Sequence, residues 1–240
     1  MPPSHSLVKR FAALLCAAAT FLTAPQALAA DAAACWARFF HDADFTGDAG
    51  PIRTFRYAGQ TFHIPANYLW RGIPEHPDHG LWLLAWPPHL EPGTRDRNRA
   101  WTNPWAPLVR ITIFGHEGQI TTDQSLAWRL RSDIAEQIDG EVDAFGLRVF
   151  RSSLTRPSYR EYHMSPEPNH FFECTAEGYR PNPLCNAHRT MAGPLRLQMT
   201  FRRAEMHRYA DFDRALTRMM CCAVDPADAP DAAWPPRNCG

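Results

Sequence analysis

Lysine is almost missing from this chain: Lys9 is the only one, so nearly every base is arginine or histidine. Net charge is missing too, with 25 Lys+Arg against 25 Asp+Glu in 240 residues. Nucleic-acid binding rests on an excess of basic charge, so neither DNA nor RNA is expected as a partner. No G-x-S-x-G, H-E-x-x-H, G-x-G-x-x-G or P-loop run occurs, which removes the chemistries those motifs carry. A Ser–His–Asp triad stays open, because its members need not be neighbours in sequence. After residue 29 no apolar run approaches the ~20 residues a membrane helix needs, so no transmembrane segment is expected in the mature chain.

The one long apolar run lies at the front. Lys9 and Arg10 give a positive start, Phe11–Leu22 an apolar stretch, and Ala27-Leu28-Ala29 an A-x-A site. Together they predict a cleavable signal peptide over 1–29. Pro25 and the shortness of the run argue against a membrane anchor. Cys16 follows Leu14-Leu15, where a lipoprotein site wants small residues, and there is no twin-arginine pair. General secretion to the periplasm is the expectation. Loss of Lys9 and Arg10 leaves two more acids than bases. The length of 30–240 fits a single α+β domain, or two closely packed halves, 30–140 and 141–240.

Cys16 leaves with the leader, and Cys35, Cys174, Cys185, Cys221, Cys222 and Cys239 remain. An even count in an exported chain implies a disulfide framework. Cys174 with Cys185 is the local choice. Adjacent cysteines rarely bond each other, so Cys221 and Cys222 are expected to tie Cys35 and Cys239, the two chain ends, to the last helix. At about 100° per residue Cys222 flanks that helix's apolar face and Cys221 lies nearly opposite. This favours Cys222 for the inward bridge and Cys221 for the tail.

Apolar patterning places the elements. A short helix is expected over Asp31–Phe40, and a hairpin from Ile52–Tyr57 and Gln60–Ile64 around Ala58-Gly59. Strands are expected at Leu81–Trp86, Leu108–Phe114, Phe145–Phe150, Tyr159–His163, Phe171–Cys174 and Leu195–Phe201. A long helix is expected over 122–138, where Leu126, Leu130, Ile134 and Ile138 form one stripe. Thr121 with Gln124 fits a capping box, and Gly140 stands where a helix end wants positive φ. A second helix, Tyr209–Ala223, carries Tyr209, Phe212, Leu216, Met219, Met220 and Ala223 on one face. Residues between Cys174 and Cys185 read as a loop rich in Pro, Asn and Gly. The expected class is α+β: antiparallel sheet with two main helices packed on it, conceivably two similar strands-then-helix halves, stapled by disulfides.

Three clusters invite a metal. His41–Gly47 imitates the start of a calcium loop, but its twelfth position falls on Arg53, where a bidentate Glu is needed. Glu75, His76, Asp78 and His79, with His89 beyond, sit on a turn around Pro77, where a solvated turn is the plainer reading. His170, Cys174, Cys185 and His188 offer two Cys and two His, yet an oxidising compartment favours the disulfide. No metal, cofactor or catalytic residue is assigned. The polar-aromatic stretch Tyr159, Arg160, Glu161 and Tyr162 reads as half-buried sheet surface.

Three elements carry a resemblance: F-x-I-P-x-N-Y at Phe62–Tyr68, F-G-L-x-V-F at Phe145–Phe150, and the Cys174/Cys185 pair followed by T-F-R-R at Thr200–Arg203 and a helix. They resemble small exported proteins of Gram-negative bacteria, among them periplasmic immunity proteins that guard against toxins delivered by secretion systems. The likeness transfers no functional residue. It implies a non-enzymatic binding or inhibitor protein with a toxin or effector as partner. An exported metal-assisted hydrolase using the His76/His79 region, or an envelope structural protein, are the alternatives. Between Pro87 and Pro107 lies the expected contact surface, Arg95, Arg97, Arg99, Trp101 and Trp105, of types over-represented in binding hot spots.

Overall fold

The computed structural model describes residues 24–70, 72–74, 79–93, 108–115, 122–132, 135–152, 160–176, 178, 181–191, 193, 195–228 and 234–235, with only the backbone at 24–30, 132, 135–141 and 152. The chain opens with helix α1 (Ala24–Asp42) and a hairpin, β1 (Ile52–Tyr57) and β2 (Gln60–Pro65). Strands β3 (Leu81–Trp86), β4 (Glu91–Pro92) and β5 (Val109–Gly115) follow, then helix α2 (Thr122–Ser132). Six strands come next: β6 (Ala135–Val142), β7 (Arg148–Ser152), β8 (Arg160–Met164), β9 (His170–Thr175), β10 (Leu184–Thr190) and β11 (Leu195–Arg202). Helix α3 (Tyr209–Ala223) closes the order. The fold is α+β, as the patterning implied.

β1 and β2 form a two-stranded sheet, and the other nine line up as β4-β3-β5-β11-β10-β9-β8-β7-β6. Every pairing is antiparallel. Strands from both halves, 30–140 and 141–240, therefore share one sheet. Its main face packs Leu83, Ile111, Ile113, Leu197, Met199, Phe201 and Phe172 against Phe212, Leu216, Met219 and Met220 of α3. On the opposite face α2 lays Leu126 and Leu130 over Phe150, Tyr162 and Phe171.

The hairpin is pinned over the end of β5. Ala58 and Gly59 both take positive φ, 52-to-65 strand twist being best matched by such a turn. Tyr57 Oη donates to the Ile113 carbonyl at 3.2 Å and accepts from the Gly115 amide at 3.2 Å. A Cβ on Gly115 would lie 2.2 Å from the Ala58 methyl, so only glycine admits this approach. Trp36 of α1 is buried and donates its indole N–H to the His63 carbonyl at 2.8 Å.

Two expectations need correction. The helix expected over 122–138 stops at Ser132, and Ala135–Val142 is an edge strand paired with β7. Its register shifts between Gln137 and Val142, around Asp139-Gly140. The four-residue spacing of Ile134 and Ile138 imitated a helical stripe, and sheet pairing with β7 overrode it. Residues 184–190, where the expected loop ended at Cys185 and no element was placed before Leu195, form β10, the strand joining β9 to β11. Its alternation was invisible because both faces are covered: Cys185, Ala187, His188 and Arg189 are all buried. A smaller shift concerns β7, which begins at Arg148 rather than Phe145. The Asp143 carboxylate accepts from the amides of Phe145 (2.8 Å) and Leu147 (3.0 Å) and holds that stretch as a turn. Thr121, half of the expected capping box, lies outside the described residues.

A side chain from β10 instead caps α2. The Thr190 hydroxyl accepts from the Thr122 amide at 2.9 Å and donates to the Thr122 hydroxyl at 2.7 Å. Helix N-terminal amides without such a partner cost about 1 kcal/mol. Thr190→Val should lower unfolding stability by ~1 kcal/mol in a urea titration, and Thr190→Ser should restore most of it.

Candidate interaction site

Cys35 is bonded to Cys222 and Cys174 to Cys185. Cys221 is also disulfide-bonded, and Cys239, its expected partner, lies outside the described residues. The zinc-like quartet is dispersed as well as oxidised. His170 pairs with Arg189 and His188 with Phe171 in the β9–β10 register, so the two imidazoles leave opposite faces of the sheet. In the calcium-like turn Asp42 is paired with Arg218 at 3.2 Å. Residues 75–78 lie outside the described part, as do Arg95, Arg97, Arg99, Trp101 and Trp105.

On the α3 side, β9 and β10 deliver a polar cluster into the core. Arg189 is 8% exposed; its Nη1 donates to Asp213 of α3 and its Nη2 to Glu167. The guanidinium carbon lies 4.7 Å from the Trp234 ring centroid. His170 Nε2 is 4.0 Å from Asp213 Oδ1. Ligand atoms of Glu167, His170 and Asp213 lie within 4.8 Å of one another, a spacing that suits a metal. Arg189, however, already supplies the cation to both carboxylates. Burial, and then the Arg189 charge, hold the His170 pKa down to about 3 against the opposing pull of Glu167. This is a neutral imidazole beside an internal ion clamp that ties β10 to α3.

A second cluster sits at the β7–β8 end. His163 is 5% exposed between two carboxylates, with Nδ1 2.9 Å from Asp143 Oδ2 and Nε2 3.7 Å from Glu161 Oε2. Glu161 also receives Arg203 at 2.5 Å and Arg151 at 3.3 Å. Burial disfavours its charged form, but nearby His163, the bond from Arg203 and the charges of Arg203 and Arg151 outweigh that and bring its pKa to about 2. The stretch read as plain sheet surface thus contains a buried ion network.

A hydroxyl–imidazole–carboxylate line also occurs. Thr54 Oγ1 is 2.9 Å from His63 Nδ1, and His63 Nε2 is 3.9 Å from Asp225 Oδ2. The second gap is beyond hydrogen-bond reach. Asp225 accepts from the Ala227 amide at 2.9 Å, and Thr54 and His63 are direct cross-strand partners. The Asp225 amide donates to the Thr61 carbonyl at 3.0 Å, and this bond fastens the hairpin to the segment after α3.

The remaining polar assembly lies on the α2 side. Glu173 receives Arg129 of α2, and Arg160 at 3.1 Å, with His188 Nε2 at 3.7 Å. Burial raises the Glu173 pKa, and the contacts from His188, Arg129 and Arg160 bring it below its ordinary value. His188 stacks on Phe171 with centroids 4.7 Å apart; its pKa is lowered, chiefly by burial. Beyond α2 the same face runs on through Asn186, Gln198 and Thr200. Thr200 donates to Asn186 Oδ1 at 2.8 Å, Gln198 Nε2 donates to it at 3.1 Å, and Arg110 reaches Thr200 at 3.5 Å. Such a cluster was not legible in the sequence, because it comes from five strands and a helix. Its only signal is the polar alternation Arg196, Gln198, Thr200 along β11.

No family model matches this chain, and no curated protein matches it. In its fold the chain is similar to Smlt3025, an immunity protein of the Stenotrophomonas maltophilia type IV secretion system. The TM-score is 0.50 at 16% identity, over 71% of this chain and 92% of that one. A weaker match, TM-score 0.35 at 13% identity over 62% of this chain and 80% of the other, is to the Neisseria meningitidis iron-regulated outer membrane lipoprotein FrpD. The resemblance to immunity proteins drawn from the sequence is thus met at the level of the fold. Among the described residues no helix is long and apolar enough to cross a membrane.

Proposed function

We propose that the chain is an exported periplasmic binding protein, non-enzymatic, that neutralises a secreted antibacterial toxin. The observation that carries this reading is the fold shared with Smlt3025 across 92% of that immunity protein. The disulfide bonds suit an oxidising compartment. On this reading 1–29 is a cleaved signal peptide and 30–240 works as one domain. The polar clusters support it too: Arg189, Arg203 and Glu161 are engaged in internal ion pairs, so they brace the sheet rather than face a substrate.

The segment 94–107, with Arg95, Arg97, Arg99, Trp101 and Trp105, is the proposed primary contact. Arginine forks suit carboxylates, and a tryptophan fills a pocket. The test is growth of cells that export the product of the adjacent gene to the periplasm, with and without this protein. Wild type should restore growth, whereas Arg97→Ala with Trp101→Ala should abolish protection and leave the thermal midpoint nearly unchanged. A double variant that folds and still protects removes this segment from the interface. Absence of protection by wild type removes the immunity reading itself.

A further inference from the structure

On the part of the sheet beyond α2, Arg196 stands without a carboxylate among the described residues. Register places Arg196 of β11 opposite Phe114 of β5, Gln198 opposite Thr112, and Thr200 opposite Arg110. Trp82 of β3 lies opposite Thr112 on the far side, and Asn186 of β10 opposite Thr200. Strand alternation puts these side chains on one face. Among the described residues of β5, β9, β10 and β11, Glu173 is the only acid on that face, and Arg129 and Arg160 occupy its two oxygens. No described residue sets a carboxylate within ion-pair distance of Arg196. Its Nε is buried without a hydrogen-bond partner among the described residues. Burial, and then the charge of Arg129, lower the Arg196 pKa.

Arg196 is half-buried, and holding a guanidinium partly out of water without a counter-charge costs stability, so its retention points outward to something that supplies one. The surroundings suit a protein surface. The Arg196 guanidinium carbon lies 6.0 Å from the Phe114 ring centroid, and that of Arg110 lies 5.2 Å from Trp82. Arginine held against an aromatic ring keeps its fork ordered for bidentate contact with a carboxylate. Asn186, Gln198 and Thr200 add amide and hydroxyl groups of the kind that meet peptide. An extended polyanion is disfavoured by the excess of acids in the chain after residue 29.

We propose that this face, centred on Arg196 with Arg110, Trp82, Phe114, Asn186 and Gln198, docks an acidic patch of a protein partner. A carboxylate meets Arg196, and an apolar group rests on Trp82 and Phe114. The proposal rests on the binding-protein reading and extends it.

The experiment is calorimetric titration of the oxidised mature protein with the purified product of the adjacent gene, at low and high salt. Wild-type affinity should fall with salt. Arg196→Glu should weaken binding roughly a hundredfold and Gln198→Glu about tenfold. Arg214→Glu on α3, whose partner Asp211 is its own helix neighbour, should bind like wild type. Thermal midpoints of the variants should stay within a few degrees of wild type. If Arg196→Glu does not fold, Gln198→Glu decides. Equal binding by wild type and a folded Arg196→Glu overturns the proposed face and leaves the immunity reading standing. No binding by wild type overturns both. A marked fall in the midpoint of both variants shows that the chain itself supplies the counter-charge, and overturns the proposal. Arg196-dependent binding to phosphatidylglycerol vesicles or duplex DNA, without binding to the adjacent gene's product, also overturns it.

Discussion

Replacing Cys35 and Cys222 together with serine is expected to lower the thermal midpoint by roughly 10–20 °C. The bond joins positions 187 residues apart. In the chain-entropy account, releasing a loop of that length costs about 5 kcal/mol. It also holds α1 against α3, whose Cys222 is 6% exposed and buried beside Trp36 and Phe39. The same exchange at Cys174 and Cys185 releases a separation of only 11 residues between strands that are already paired. That variant is expected to cost ~3 kcal/mol or less. Scanning calorimetry of both double variants, fully oxidised elsewhere, checks the order. A larger loss at Cys174 and Cys185 would contradict it.

Acid should destabilise the fold well above the ordinary carboxylate range. The His170 pKa is held down to about 3 in the folded protein, against an ordinary value of 6.5. Below pH 6.5 the unfolded chain takes up that proton and the folded chain does not. Stability is therefore full above pH 6.5 and falls as pH drops toward 3. One pH unit across that window is worth about 1.4 kcal/mol, so roughly 3 kcal/mol should be lost between pH 6.5 and 4. Lower down, Glu161 acts in the same direction. Its carboxyl, brought from 4.5 to about 2, contributes fully above pH 4.5 and loses its contribution as pH falls through 2. Urea midpoints measured from pH 7.5 to 4 should slope downward, and His170→Leu should flatten the upper part of that slope. An unchanged slope in the variant would show that His170 is not the group responsible.

Half-buried strands and the amphipathic last helix were easy to read. β1, β3 and α3 fall at their expected bounds: β3 as a short continuous apolar run, and α3 because Phe212, Leu216 and Met219 face one core while polar neighbours face out. β10 defeated the same method. With α3 on one side and Phe171 stacked on the other, His188 and Arg189 are both buried, so polarity no longer reports direction. The false helix through Ile138 failed for the opposite reason: a short spacing pattern imitated a stripe across a helix end and the start of a strand. The polar clusters were illegible for a further reason. Arg189 meets Glu167 and Asp213, and Arg196 meets Phe114, only once the sheet has ordered its strands, and no local spacing encodes that order.

Within the nine-stranded sheet, β3, β4 and β5 make one local run and β6 to β11 another, each strand paired within its own run. A single pairing, β5 with β11, joins residues 109–115 to 195–202. Closing that seam requires ordering the whole intervening chain, so it is the slow and entropically expensive step of assembly. Arg110 stands on one side of the seam and Arg196 on the other. On the proposed docking, a partner seated on the face around Arg196 spans both runs, and its binding free energy adds to the stability of the folded protein.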